Sequence, residues 1–158
     1  MTPSRIYVAS SWRNPRQQDV VERLRSAGHE VYDFRNPAPG NTGFAWSAID
    51  PGWIAWTAAE FRAALAHPIA QAGFALDHAA MEWADTFVLV LPCGRSAHLE
   101  MGWACGRGKR TAILMLGQNE PELMYLEADR ICLSIDELIQ HLRHIGGDKV
   151  TPTNTETT

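Results

Sequence analysis

One carboxylate, Glu100, stands alone in the run "LPCGRSAHLEMGWACGRGKR" (91–110), which contains no second acid. An acid in the first turns of a helix is favoured by the helix dipole, and that accounts for Glu100 as well as chemistry does. Gly102, Ala104 and Gly106 imply close packing of the helix on a sheet, which leaves little room for a solvated face and tips the reading towards function. Ser96, four residues earlier, shares the face of Glu100. It fits an N-cap, and the Gly94-Arg95-Ser96 turn offers backbone N–H groups to an anion. Asp77, between Leu76 and His78, reads as a solvated helix residue, and Tyr7 as a core residue of the first strand. Phe44, Trp46, Trp53, Trp56 and Phe61 suit packing, although aromatic rings in a long loop are also what a stacking ligand such as a nucleobase needs. The histidines lack metal-ligand spacing such as HExxH, so no metal is expected.

"GRGKR" suggests a phosphate loop and fails as one. Gly102 precedes Gly108 by six positions where the pattern needs five, Arg110 replaces the hydroxyl residue, and the segment ends a helix. Gly106 and Gly108 fit a helix C-terminus, with Lys109 and Arg110 complementing the dipole.

The elements that must position these groups alternate. "RIYVAS" (5–10) reads as a strand. Asn14-Pro15 starts a helix, with Asn14 as N-cap, and Gly28 ends it. "HEVYDF" (29–34) is the next strand, so the opening is a βαβ unit with parallel strands. The segment 35–53 is a long Pro/Gly/Asn-rich loop. Helical patterning covers 54–66, breaks at His67-Pro68, and resumes over 69–83. "TFVLVLP" is the most apolar strand and belongs at the sheet centre. A helix over 97–106, the strand "TAILML", a short helix near 122–127, the strand "RICLS" and a last helix follow. That last helix opens with a Ser134–Glu137 capping box. The sum is an α/β three-layer sandwich with a mainly parallel five-stranded sheet, flavodoxin/Rossmann-like. In such a sheet the site lies beyond the strands' carboxyl ends, here at "SSWRN" and "CGRSAH". A single domain is expected over 1–146, with a disordered tail over 147–158.

The totals agree with that class. The chain has 158 residues, 46% hydrophobic and 20% charged, enough for one sizeable core. A net charge of -4 argues against a nucleic-acid polymer as partner. No apolar run reaches membrane-spanning length, and the N-terminus lacks a signal-peptide layout. Cys93, Cys105 and Cys132 lack CxxC spacing and read as reduced thiols, so a cytoplasmic protein without membrane contact is expected.

Three segments, in order, resemble the nucleoside 2-deoxyribosyltransferases and the related nucleotide N-glycoside hydrolases. "RIYVASSW" is similar to the family's opening strand and loop. "LDHAAMEWADTFVLVL" is similar to its Asp-containing helix and central strand, and "GRSAHLEMGWACGRGKR" to its Glu signature. The resemblance implies Glu100 as a nucleophile that forms a covalent glycosyl-enzyme. It also implies Asp77 as the group that positions the sugar or handles the proton on the leaving base, and Tyr7 as the residue that orients the nucleophile. Transferases of the family usually carry an Asp just after the central strand, where this chain has Pro92-Cys93. The "PCGRS" turn is closer to the nucleotide-hydrolase branch. In that branch a 5′-phosphate would be held by Ser10, Ser11 and Arg13 together with Gly94 and Ser96; Phe44 and Trp46 of the aromatic loop are the substrate-binding candidates for stacking on the base. The resemblance implies a small-molecule nucleoside or nucleotide as substrate, no cofactor, and a homodimer or larger homo-oligomer to which "ELMYLEAD" contributes. Two other readings compete: a non-catalytic nucleotide-binding sensor module of the same fold, and, with less support from the first loop, a flavodoxin-like redox domain.

Overall fold

A computed structural model describes residues 3–144; the expected tail over 147–158, and the domain boundary at 146, lie outside the described residues. Five strands, β1 (Arg5–Ala9), β2 (Glu30–Tyr32), β3 (Thr86–Val90), β4 (Arg110–Leu114) and β5 (Arg130–Cys132), form one parallel sheet in the order β2-β1-β3-β4-β5. The α-helices are α1 (Gln17–Ser26), α2 (Ala58–Ala64), α3 (Pro68–Trp83), α4 (Arg95–Gly106) and α5 (Ile135–His144). This is the three-layer α/β arrangement expected.

Alternation along the strands divides the core in two. Ile6 and Val8 of β1, with Val88 and Val90 of β3, face α1 and α5, where Val20, Leu24 and Leu138 close the layer. Tyr7, Ala9, Phe87 and Leu89 face the other way, onto Ala80 and Met81 of α3 and Ala97, Met101 and Ala104 of α4. The strand order reverses between β1 and β3, so the loops that leave those strands diverge there and open a crevice.

Several expected boundaries move, each for a local reason. α1 begins at Gln17, after an N-cap at Arg16, two residues beyond Asn14. Its Oδ1 accepts from Arg16 N at 3.0 Å, while its amide donates to Val90 O and Pro92 O, each at 3.3 Å. Gly28 follows the Ala27 cap with φ +93°, as the C-terminal signal requires. The helix expected over 54–66 is broken at Trp56. Asp50 accepts from Gly52 N and from Trp56 Nε1, which holds a short 3-10 turn at Trp53–Ala55. Thr57 then caps α2 through a capping box with Glu60. α4 starts at Arg95 from a Gly94 N-cap without a side-chain cap, so Ser96 lies inside the first turn and does not cap.

Two further corrections concern α4. A Cβ at Gly102 or Gly106 would meet nothing within 4 Å, and both residues face solvent; only Ala104 makes the close helix-to-sheet contact. Lys109 serves α3 rather than its own helix: its ammonium donates to Glu82 O and Ala84 O, the carbonyls at the end of α3. Arg110 pairs with Asp85 at 3.0 Å. At α5, Ser134 accepts from Glu137 N as expected. The Glu137 carboxylate, however, accepts from Leu133 N, one residue before the box pattern.

Candidate active site

The parallel register lines up three aromatic rings across three strands. Tyr7 pairs with Tyr32 on β2 and with Phe87 on β3. Neighbouring rings stack, with centroids 5.3 Å and 4.9 Å apart and planes within 20°. Strand neighbours in register place their side chains on one face, so both tyrosine hydroxyls emerge on the side covered by α3 and α4.

Each hydroxyl meets one carboxylate. Tyr32 donates to Asp77 Oδ1 at 2.8 Å, and Tyr7, only 1% exposed, hydrogen-bonds to Glu100. The acids come from separate helices by the same device. On α4 the inward stripe is Ala97, Met101 and Ala104, and Glu100 lies three residues from Ala97 and four from Ala104. On α3 the stripe is Ala70, Ala80 and Met81, with Asp77 three residues from Ala80. Asp77 is therefore an inward residue, contrary to the solvated position expected from its neighbours alone.

Burial disfavours both charges. Glu100 is pushed up to about 8, first by desolvation and then by the negative field of Asp77, with the Tyr7 hydrogen bond pulling the other way. Asp77 is raised by desolvation and held down by the Tyr32 hydrogen bond. Burial raises both tyrosines far above the usual phenol range, so each keeps its proton and acts as a donor. Two acids this coupled share protons as a pair.

The loops at the sheet's carboxyl edge carry the remaining candidates. Ser10 Oγ donates to Val90 O at 2.9 Å, and Ser11 Oγ accepts from Arg13 N at 3.1 Å, so both hydroxyls serve the loop's own shape. Arg13 is exposed, as are Gly94 and Ser96. Sequence reasoning gave Asn14 only a capping role and missed Arg35; both fasten this edge. Arg35 Nη2 donates to Ser11 O, Trp12 O and Asn14 O at 3.1, 2.8 and 2.9 Å. It also missed Tyr32, because nothing in "HEVYDF" shows which strand lies beside it.

Phe44 and Trp46 are half-buried, in edge contact at 4.7 Å, and Trp46 also meets Trp56 and Phe61. A Cβ at Gly73 would come within 3.1 Å of Phe44, so Phe44 packs on α3 one turn before Asp77. The aromatic loop thus borders the acid pair. On the other side His98 donates from Nδ1 to Gly94 O at 2.8 Å and accepts at Nε2 from the Tyr125 hydroxyl at 3.0 Å. Cys93 lies beside that ring, its thiol pushed up to about 12 by burial and the nearby Glu100, so it is no thiolate nucleophile. A cavity of about 480 Å³ on the outer side of β2 is lined by Arg25, Tyr32, Asp33 and the 36–42 segment; neither carboxylate lines it. Among the described residues no group of three or more His, Cys, Asp or Glu could hold a metal ion, and no helix is long and apolar enough to cross a membrane.

No protein-family model and no curated protein sequence matches the chain. Solved structures do. A 2-deoxyribosyltransferase from Bacillus psychrosaccharolyticus superposes with a TM-score of 0.59 at 17% identity, over 85% of this chain and 89% of that one. A conserved protein from Enterococcus faecalis V583 gives 0.55 at 15% identity, over 90% and 98%. A CMP N-glycosidase from Clostridium botulinum gives 0.48 at 18% identity, over 87% and 97%. At these identities the first two likenesses establish the fold.

Proposed function

We propose that the chain cleaves the N-glycosidic bond of a (deoxy)nucleoside or its 5′-monophosphate through a covalent glycosyl-Glu100 intermediate, and passes the sugar to water or to another nucleobase. One observation carries this reading: two carboxylates on neighbouring helices, each bonded to its own tyrosine, beside the crevice where the strand order reverses. A pair holding one proton is what retaining glycoside chemistry needs. Once the pair's proton has passed from Glu100 to Asp77, the Glu100 carboxylate attacks C1′ as the C–N bond breaks. The base departs with the bonding pair and takes the proton from Asp77. Water then adds to C1′, returns a proton to Asp77 and releases Glu100 as a carboxylate. A second base in place of water makes the reaction a transfer.

A 5′-monophosphate suits the edge of this site. The N-terminus of α4 has no side-chain cap, Ser96 is exposed in its first turn, and exposed Arg13 supplies positive charge on the neighbouring loop. Ser10, Ser11 and Gly94 shape these two loops, and Phe44 and Trp46 would flank the base. The working form is taken as a homo-oligomer.

The test is base release from a panel of nucleosides, deoxynucleosides and their monophosphates, followed by chromatography. Wild type should release base from at least one member, and Glu100→Gln should lose about 10³-fold or more of that rate with its fold intact. Near-wild-type activity in Glu100→Gln would exclude the mechanism, and binding without release across the panel would favour a nucleotide-binding module.

A further inference from the structure

Tyr32 was singled out by no motif, yet it is the group that touches Asp77. Its hydroxyl donates to Oδ1 at 2.8 Å, and its ring is fixed by stacking on Tyr7. The rest of the surroundings of Asp77 are mapped as well. Glu100 on α4 and Tyr7 on β1 face the same space, and Tyr7 is hydrogen-bonded to Glu100 rather than to Asp77.

The geometry points to Tyr32 as the positioning residue for the second carboxylate of the proposed glycosidic cleavage: by occupying Oδ1, it leaves Oδ2 as the oxygen that carries the proton to the departing base. A carboxyl oxygen that already accepts a strong hydrogen bond is the less basic one, so a proton added to Asp77 goes to Oδ2. The same bond stops the carboxyl from rotating, so proton and base need no reorientation when the C–N bond breaks. The two tyrosines thereby divide the labour. Tyr7 serves the nucleophile and Tyr32 the acid, and stacking between their rings keeps the two hydroxyls at a fixed spacing.

This inference rests on the function proposed above, and its test separates the two. Tyr32→Phe keeps the ring in the stack, where Phe87 shows that a phenyl ring fits the row. In the free protein, titration of the Asp77 carboxyl by NMR should show its midpoint moving up by about one pH unit in Tyr32→Phe. In turnover, kcat should fall about 10- to 100-fold with KM within about twofold. The limb of the pH–rate profile that Asp77→Asn removes should move to higher pH. In an Asp77→Asn background, Tyr32→Phe should cost nothing further. If Tyr32→Phe failed to fold, a fluorotyrosine at position 32, a stronger donor, should move the Asp77 midpoint down. An unmoved midpoint, or an equal loss with and without the Asp77 carboxyl, overturns the assignment of Tyr32 while leaving base release by wild type in place. A wild type that releases no base overturns the catalytic reading itself, and the titration still reports whether Tyr32 governs Asp77.

Discussion

At Glu100 the cost of function is visible as proton uptake. The carboxyl ionises at about 8 in the folded chain, against 4.5 for an unperturbed Glu. Below about 4.5 both folded and unfolded forms hold the proton, so the group is neutral to stability. As pH rises from there, the unfolded chain gives up the proton first, and the folded state is progressively penalised until Glu100 ionises as well. Glu100→Gln removes this penalty. The variant should match wild type near pH 4 and exceed it by about 1–3 kcal/mol at pH 9, as read from urea midpoints at both values. A variant no more stable than wild type at pH 9 would show that Glu100 is not desolvated. Gln cannot attack C1′, so the same substitution should trade activity for stability.

At the scale of elements, Asn14 joins the loop after β1 to the loop after β3. It is 1% exposed, and it satisfies Val90 O and Pro92 O at the point where the strand order reverses. Asn14→Ala would leave Pro92 O without its side-chain donor and Val90 O with the Ser10 hydroxyl alone. A loss of about 1–3 kcal/mol by chemical denaturation is expected, together with faster amide exchange in the 91–96 loop. Asn14 also shows where sequence reasoning stops. Asn before Pro is a sound helix-start signal, and its Oδ1 does accept from Arg16 N, but nothing local shows the Nδ2 partners 76 and 78 residues away. By contrast, β3 and α3 were legible because an unbroken apolar run and a His-Pro boundary are local facts. The Thr57–Glu60 capping box was equally local, and "TAAE" could have placed the start of α2. Glu100, Asp77 and Tyr7 were legible as candidates through resemblance. Their inward position was also written in the helical spacing, since each acid falls on the apolar stripe of its own helix. Tyr32 was not legible, because strand order and register decide its neighbours.

At the scale of the whole molecule, several large apolar side chains near the site are left exposed. Leu99 of α4 is 75% exposed, and Leu123, Met124 and Leu126 are 78%, 67% and 82% exposed. The His98–Tyr125 contact brings the two segments together into one apolar face. If a second copy covers this face, light scattering should give at least twice the 17.6 kDa chain mass. Leu126→Lys should shift the protein towards monomer, and a wild type that is monomeric at micromolar concentration would exclude the assembly. The last consequence concerns Lys109, whose ammonium lies on the end of α3 and over the rings of Phe87 and Trp103. Asp77 and Glu100 each stand about 9 Å along their helix from its C-terminal end, at 1.5 Å per residue. Lys109 follows α4 and grips the end of α3, so one ammonium joins the ends of the two helices at the same remove from each acid.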